Sequence, residues 1–190
     1  MNKKLVYIII GIVTLIFGVL IFSSINIYNN LVSSKESVDN NLSKISVQLE
    51  RRADLIPNLV TTVKGYIKHE QSVINSITSS REKLVNADTV EEKAEANNQL
   101  SAALNNLFVI VENYPDLKSN VNFIQLQDEL AGTENRIAVA RTDYNNAVKE
   151  YNQNIKYFPQ NIIANMFDFE EQEYFEASNA SNGVPNVSFE

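Results

Sequence analysis

The sequence predicts an all-α protein, an N-terminal transmembrane helix continuing into a long antiparallel four-helix bundle. Three observations lead there. Residues 5–22 form an apolar run without a charge, and no charge follows until Lys35. Beyond that run, apolar residues recur at helical spacing through four long segments. Gly (5) and Pro (4) are scarce among 190 residues, which leaves few turns for a multi-stranded sheet.

Residues 1–4 are short and basic, and residues 5–27 read as the transmembrane helix. A helix of this length suffices to cross a hydrocarbon layer of about 30 Å. A cleaved secretory signal usually has an apolar region of about 7–15 residues and a small-residue site. The run here is longer, and the SSINIYNNLV that follows offers no clear site. Tyr28 is suitably amphipathic for the membrane interface. Gly11 and Gly18 share a face, but without G-x-x-x-G spacing they say little about helix pairing. Lys3 and Lys4 precede the span, whereas Lys35 and Lys44 beyond it are diluted by Glu36 and Asp39. The positive-inside bias therefore places the soluble domain on the outer side of the cell membrane.

Residues 28–158 read as the bundle. Its first stripe is Leu31, Val38, Leu42, Ile45 and Leu49, a narrow heptad-like seam that could also pack against a second copy as a coiled coil. The stretch VQLERRADLIPNLVTTVKGYIKHE (47–70) sets the next boundary. Asp54 suits an N-cap, and Pro57 suits the first turn, where its missing N–H has no intrahelical acceptor to lose. The expectation is a helix boundary or sharp kink between Ala53 and Asp54, an undisturbed helix being the alternative. Arg51 and Arg52 would then lie in a last turn, favoured by the helix dipole.

A second helix is expected over residues 55–86, with Leu59, Val63, Ile67, Ile74, Ile77 and Leu84 inward. Asp88 and Thr89 resemble a cap for a third helix, supported by Glu91 and Glu92. Its stripe is Ala96, Leu100, Ala103, Leu107, Val111 and Tyr114, and Pro115 ends it. The fourth pattern runs through Phe123, Leu126, Leu130, Thr133, Ile137, Ala140, Tyr144, Val148, Tyr151 and Ile155, stopping before Pro159. Four such helices joined by short turns make an up-down-up-down bundle. In residues 159–177, Ile162, Ile163, Met166, Phe167, Phe169, Tyr174 and Phe175 are expected to cover one end of the bundle or pack along it. The alternative is a docking segment for a partner protein. Residues 178–190 read as a flexible tail.

The net charge is −7, and the part beyond the anchor is more acidic still. Such a body does not bind nucleic acid through phosphate contacts, and an anionic membrane surface repels it. With no cysteine there is neither a disulfide nor a thiolate metal site. His69 and Glu70 begin like a zinc-protease H-E-x-x-H, but Val73 stands where the second His belongs, and the chain has only one His. The same count defeats a di-iron bundle. Neither a G-x-G-x-x-G nor a P-loop occurs. The sequence therefore points to no catalytic residue, metal, cofactor or small-molecule substrate, although nothing in it refutes a Ser/Lys or carboxylate-only site. Glu112, Glu129, Glu134, Arg136 and Arg141 flank the inner faces of helices three and four. With Arg51, Arg52 and Asp54 they could form an interhelical ion-pair network fixing register, solvated helix faces being the alternative.

Several motifs carry a family resemblance. They are RRADLIPNLV (51–60), YPDLK (114–118) and GTENRIAVARTDYN (132–145), with YNNLV (28–32) before them and YNNAVKEYNQNIKYFPQNIIA (144–164) at the end. In these segments the chain resembles the LemA family of bacterial membrane proteins. The resemblance implies an N-terminal membrane helix, a long antiparallel four-helix bundle and no established catalytic activity. It marks Arg51, Arg52, Asp54, Pro57, Glu112, Tyr114, Pro115, Glu134, Arg136 and Arg141 as positions in or beside its motifs. Residues 71–99 and the acidic end after Phe175 match loosely. The expected function is a non-enzymatic scaffold in the bacterial cell envelope. It is held in the bilayer by residues 5–27 and contacts itself as a homo-oligomer or other proteins. The alternative is an accessory or signalling subunit of a membrane protease or sensor.

Overall fold

The computed structural model describes residues 3–67 and 69–176. Among these residues every regular element is helical: α1 (Lys3–Lys64), α2 (Gln71–Val85), α3 (Val90–Val111), α4 (Pro115–Lys118), α5 (Val121–Lys156) and α6 (Gln160–Met166). The tail expected at 178–190 lies outside the described residues. Two compact units divide the chain, residues 1–40 with 146–172, and residues 41–145 with 173–190.

In the first unit, α1 opens with a run long and apolar enough to cross a membrane. Side chains from Tyr7 to Phe22 are exposed, so the run has no partner within the described chain. Three polar side chains in and just after it bond to their own helix. Thr14 Oγ1 donates to the Ile10 carbonyl at 2.9 Å, Ser24 Oγ to Leu20 at 2.9 Å, and Asn26 Nδ2 to Phe22 at 2.8 Å. Such local pairing is what a helix surrounded by hydrocarbon requires. Beyond the run, Leu31, Val38, Val148, Tyr151 and Ile155 are buried, and Leu42 in the second unit is half-buried. Burial raises the affinity of the Tyr151 hydroxyl for its proton, helped by Asp39 and Glu170.

In the second unit, α1 does not break between Ala53 and Asp54. It runs on through Pro57 to Lys64. A proline at position 57 cannot donate to the carbonyl of Ala53, four residues back. Arg81 of α2 supplies the missing donor, its Nε–H reaching the Ala53 carbonyl at 2.9 Å. A side chain thus replaces the lost backbone bond, and the helix continues. Arg51 and Arg52 accordingly sit inside α1 rather than in a last turn, and Asp54 is an exposed mid-helix residue rather than a cap.

The break that residues 55–86 were expected to bridge comes after Lys64, at Gly65 and Tyr66. The N–H groups of Tyr66 and Ile67 both donate to the Val63 carbonyl there, at 2.9 and 3.0 Å. Leu59, Val63, Ile67, Ile74, Ile77 and Leu84 are nonetheless all buried, so the apolar pattern was right where the boundary was not. His69 is exposed in this connection. Thr89 caps α3 in a full capping box: its Oγ1 accepts from the Glu92 N–H, while Glu92 Oε2 accepts from the N–H groups of Thr89 and Asp88. These bonds hold the Glu92 carboxyl below its ordinary pKa. The α3 stripe is buried through Val111, Tyr114 is half-buried, and Tyr114 with Pro115 starts the short α4. On α5, Phe123, Leu130, Thr133, Ile137, Ala140 and Tyr144 are buried, with Leu126 half-buried.

Candidate functional site

A guanidinium in an apolar interior needs acceptors for its donors, and in Arg52 the chain gathers them at one nitrogen, Nη1, while the buried Nε has none. Arg52 is only 3% exposed, on the face of α1 that carries Leu49, Ala53 and Ile56. Its Nη1 donates to Asn97 Oδ1 at 2.6 Å and to Ser101 Oγ at 3.0 Å, both on α3. The same nitrogen pairs with the Glu134 carboxylate of α5. Asn97 is itself buried, and Ser101 Oγ donates back to the Asn97 carbonyl at 3.0 Å. Desolvation pulls the Arg52 pKa down from its ordinary value and Glu134 partly restores it. Arginine stays protonated regardless. Glu134 is the partner nearer solvent, its side chain 42% exposed although the Oε2 facing Arg52 is buried. A groove of about 260 Å³ opens here, lined among others by Arg52, Ser101, Asn105, Phe108, Gln127 and Glu134.

The neighbouring Arg51 is half-exposed and reaches Glu129 of α5 at 2.9 Å. Two consecutive residues of α1 therefore reach two carboxylates of α5, one arginine buried and the other half-exposed. The other residues singled out by sequence do not join them. Asp54 and Arg136 are exposed, and Arg136 Nη1 lies 3.6 Å from where a Cβ on Gly132 would stand. Glu112 pairs locally with Lys118 at 2.5 Å, across the turn carrying Tyr114 and Pro115. Arg141 stands 5.4 Å above the ring of Phe175, a cation–π contact. Pro57 matters through the carbonyl it leaves for Arg81.

The residues that sequence reasoning missed are Asn97, Ser101, Arg81 and Asn145. Asn97 adjoins Ala96 in the apolar stripe of α3, so a polar residue at a core position was the available signal. Asn145 Oδ1 accepts from the Phe175 N–H at 2.8 Å, and Tyr144 Oη donates to the Glu173 carbonyl at 2.8 Å. Those bonds hold the segment around Phe175 on the body, and Phe175 is fully buried. Chemically, the arrangement around Arg52 is suited to holding helices in register. Among the described residues no three His, Asp or Glu side chains gather as metal ligands would.

These features define a class, an all-helical protein with one helix able to cross a membrane and a buried arginine tying helices together. The LemA family pattern matches residues 41–189, and the chain belongs to the LemA family. It is 28% identical over 181 residues to Protein LemA of Metamycoplasma hominis, covering 93% of this chain and 80% of that protein. It is 27% identical over 181 residues to magnetosome protein MamQ 2 of Paramagnetospirillum magneticum, covering 82% of this chain and 66% of that protein. Magnetosome protein MamQ of Magnetospirillum gryphiswaldense is 25% identical over 174 residues, covering 78% of this chain and 64% of its own length. The chain thus spans about two thirds of the magnetosome relatives.

Proposed function

We propose that this protein is a membrane-anchored scaffold, a single-pass helical body that works by protein–protein contact rather than catalysis. The observation carrying this reading is the unbroken helix from Lys3 to Lys64, which joins an apolar run to the residues that lock the helices at Arg52. On this reading residues 5–27 lie in the bilayer, and residues 28–158 form an antiparallel four-helix bundle of α1, α2, α3 and α5. Segment 159–177 packs on it. The body faces the non-cytoplasmic side, as Lys3 and Lys4 favour.

Self-assembly belongs to the proposal, with one change of route. Leu31, Val38, Ile45 and Leu49 are buried within the chain, so that stripe is not free for a coiled coil between copies. The apolar run, where nothing stands within 4 Å of a Cβ placed on Gly11 or Gly18, is a surface open to pairing. The continuous helix also favours a second reading, an accessory subunit that passes a displacement from the membrane to a partner. Light scattering on the full-length protein in mild detergent separates the two. A protein mass that is a defined multiple of 21.4 kDa supports the scaffold. A monomer that co-purifies with one defined second protein supports the accessory subunit and overturns self-assembly.

A further inference from the structure

We infer that residues 157–167 are a second membrane contact, seated in the headgroup and upper acyl region of the bilayer beside the point where α1 leaves it. This rests on the anchored reading above and adds a surface to it. The eleven residues YFPQNIIANMF carry no charge. Their large apolar side chains point outward: Phe158 is 80% exposed, Met166 66%, Tyr157 56%, Phe167 53% and Ile162 51%. Elsewhere in the described body such residues come singly or in pairs, as at Val47, Val85, Val109 and Val139. Isolated exposure needs no explanation, whereas a cluster of this kind marks a binding surface.

The position of the cluster identifies its occupant. Asn154 Nδ2 donates to Ser34 Oγ at 3.3 Å, and thirteen residues later Phe167 packs against Tyr28, ring centroids 4.8 Å apart and tilted by 58°. The chain after α5 therefore moves along α1 toward its apolar run, and Tyr28 is the first residue beyond the span. Phe169 also meets Tyr28, at 5.8 Å. The turn that aims it closes α6 as helices commonly close. Asp168 adopts a left-handed φ of 55°, and the Phe169 N–H donates to the Ala164 carbonyl at 3.0 Å. Ile163 and Ala164 are buried and hold α6 down, while Ile162 and Met166 face out. Lys156 and Glu171 pair at 2.7 Å and close the base of the segment. Aromatic side chains favour the membrane interface, and apolar area is what drives a short segment into it. Asp168, Glu170 and Glu171 follow directly, so the affinity is for zwitterionic rather than anionic lipid.

The chain has no tryptophan, so single introduced ones report without background. Phe158→Trp, Met166→Trp, Val109→Trp on α3 and Phe17→Trp in the apolar run are each placed in the full chain and reconstituted in phosphatidylcholine vesicles. Lipids brominated near the glycerol or deep in the acyl chain serve as quenchers. The expected result is blue-shifted emission at positions 158 and 166, lost to the shallow bromines, with Val109→Trp unquenched and Phe17→Trp quenched by the deep ones. Phe17→Trp quenched while 158 and 166 emit as in water overturns this inference and leaves the anchor standing, the cluster then facing a protein. Phe17→Trp unquenched overturns the anchor and this inference with it. Equal quenching of Val109→Trp also overturns it, because the contact would not be confined to this segment.

Discussion

At the scale of single residues, Arg51 and Arg52 differ by one position and by their whole environment. The Arg51 pair with Glu129 is half-exposed on both sides. Exposed pairs of this kind contribute below about 1 kcal/mol. Arg52 is buried, and removing it leaves Asn97 Oδ1 without its donor inside the protein. An orphaned buried acceptor costs about 1–3 kcal/mol, and Glu134 limits the loss because it can turn to water. Arg52→Met is therefore expected to lower stability by about 2 kcal/mol in chemical denaturation, and Arg51→Met by less than about 1 kcal/mol. Equal effects would contradict this division. The pair was conspicuous in the sequence as RR before a proline. What the pair faces was not legible there, because helical spacing does not say which side chain of another helix arrives opposite.

At the scale of elements, one carbonyl explains why a helix persists where local rules end it. Asp54 and Pro57 have the residue types of a helix start, and local chemistry alone would break the chain there. The bond from Arg81 to Ala53 comes from another helix, so no window around position 57 contains it. A double-mutant cycle tests the account. Arg81→Met alone leaves the Ala53 carbonyl without either donor and is expected to cost about 1–2 kcal/mol. With Pro57→Ala, the backbone N–H returns and the cost of Arg81→Met falls by more than half, the non-additivity expected of residues sharing a partner. Additive losses would show that Arg81 does not stand in for the missing bond. Local signals succeeded where the interaction is itself local, as in the capping box of Thr89 and Glu92. The end of α1 at Gly65 was missed because Ile67 and Ile74 keep the apolar spacing across the turn.

For the whole molecule, the apolar run and the four amphipathic patterns were readable from sequence because both rest on burial and period. The binding surfaces were less so. The stripe of Leu31, Val38, Ile45 and Leu49 looked available for a second copy until its side chains proved to be core. On the proposed reading, α1 carries the body across a bilayer to the non-cytoplasmic side. The chain has no cysteine, so single ones placed at Lys3 and at exposed Val109 can be labelled selectively. In spheroplasts treated with a membrane-impermeant maleimide, Val109→Cys is expected to react at once and Lys3→Cys only after permeabilisation. The reverse pattern would place the body in the cytoplasm, and equal labelling at both positions would show that α1 does not span.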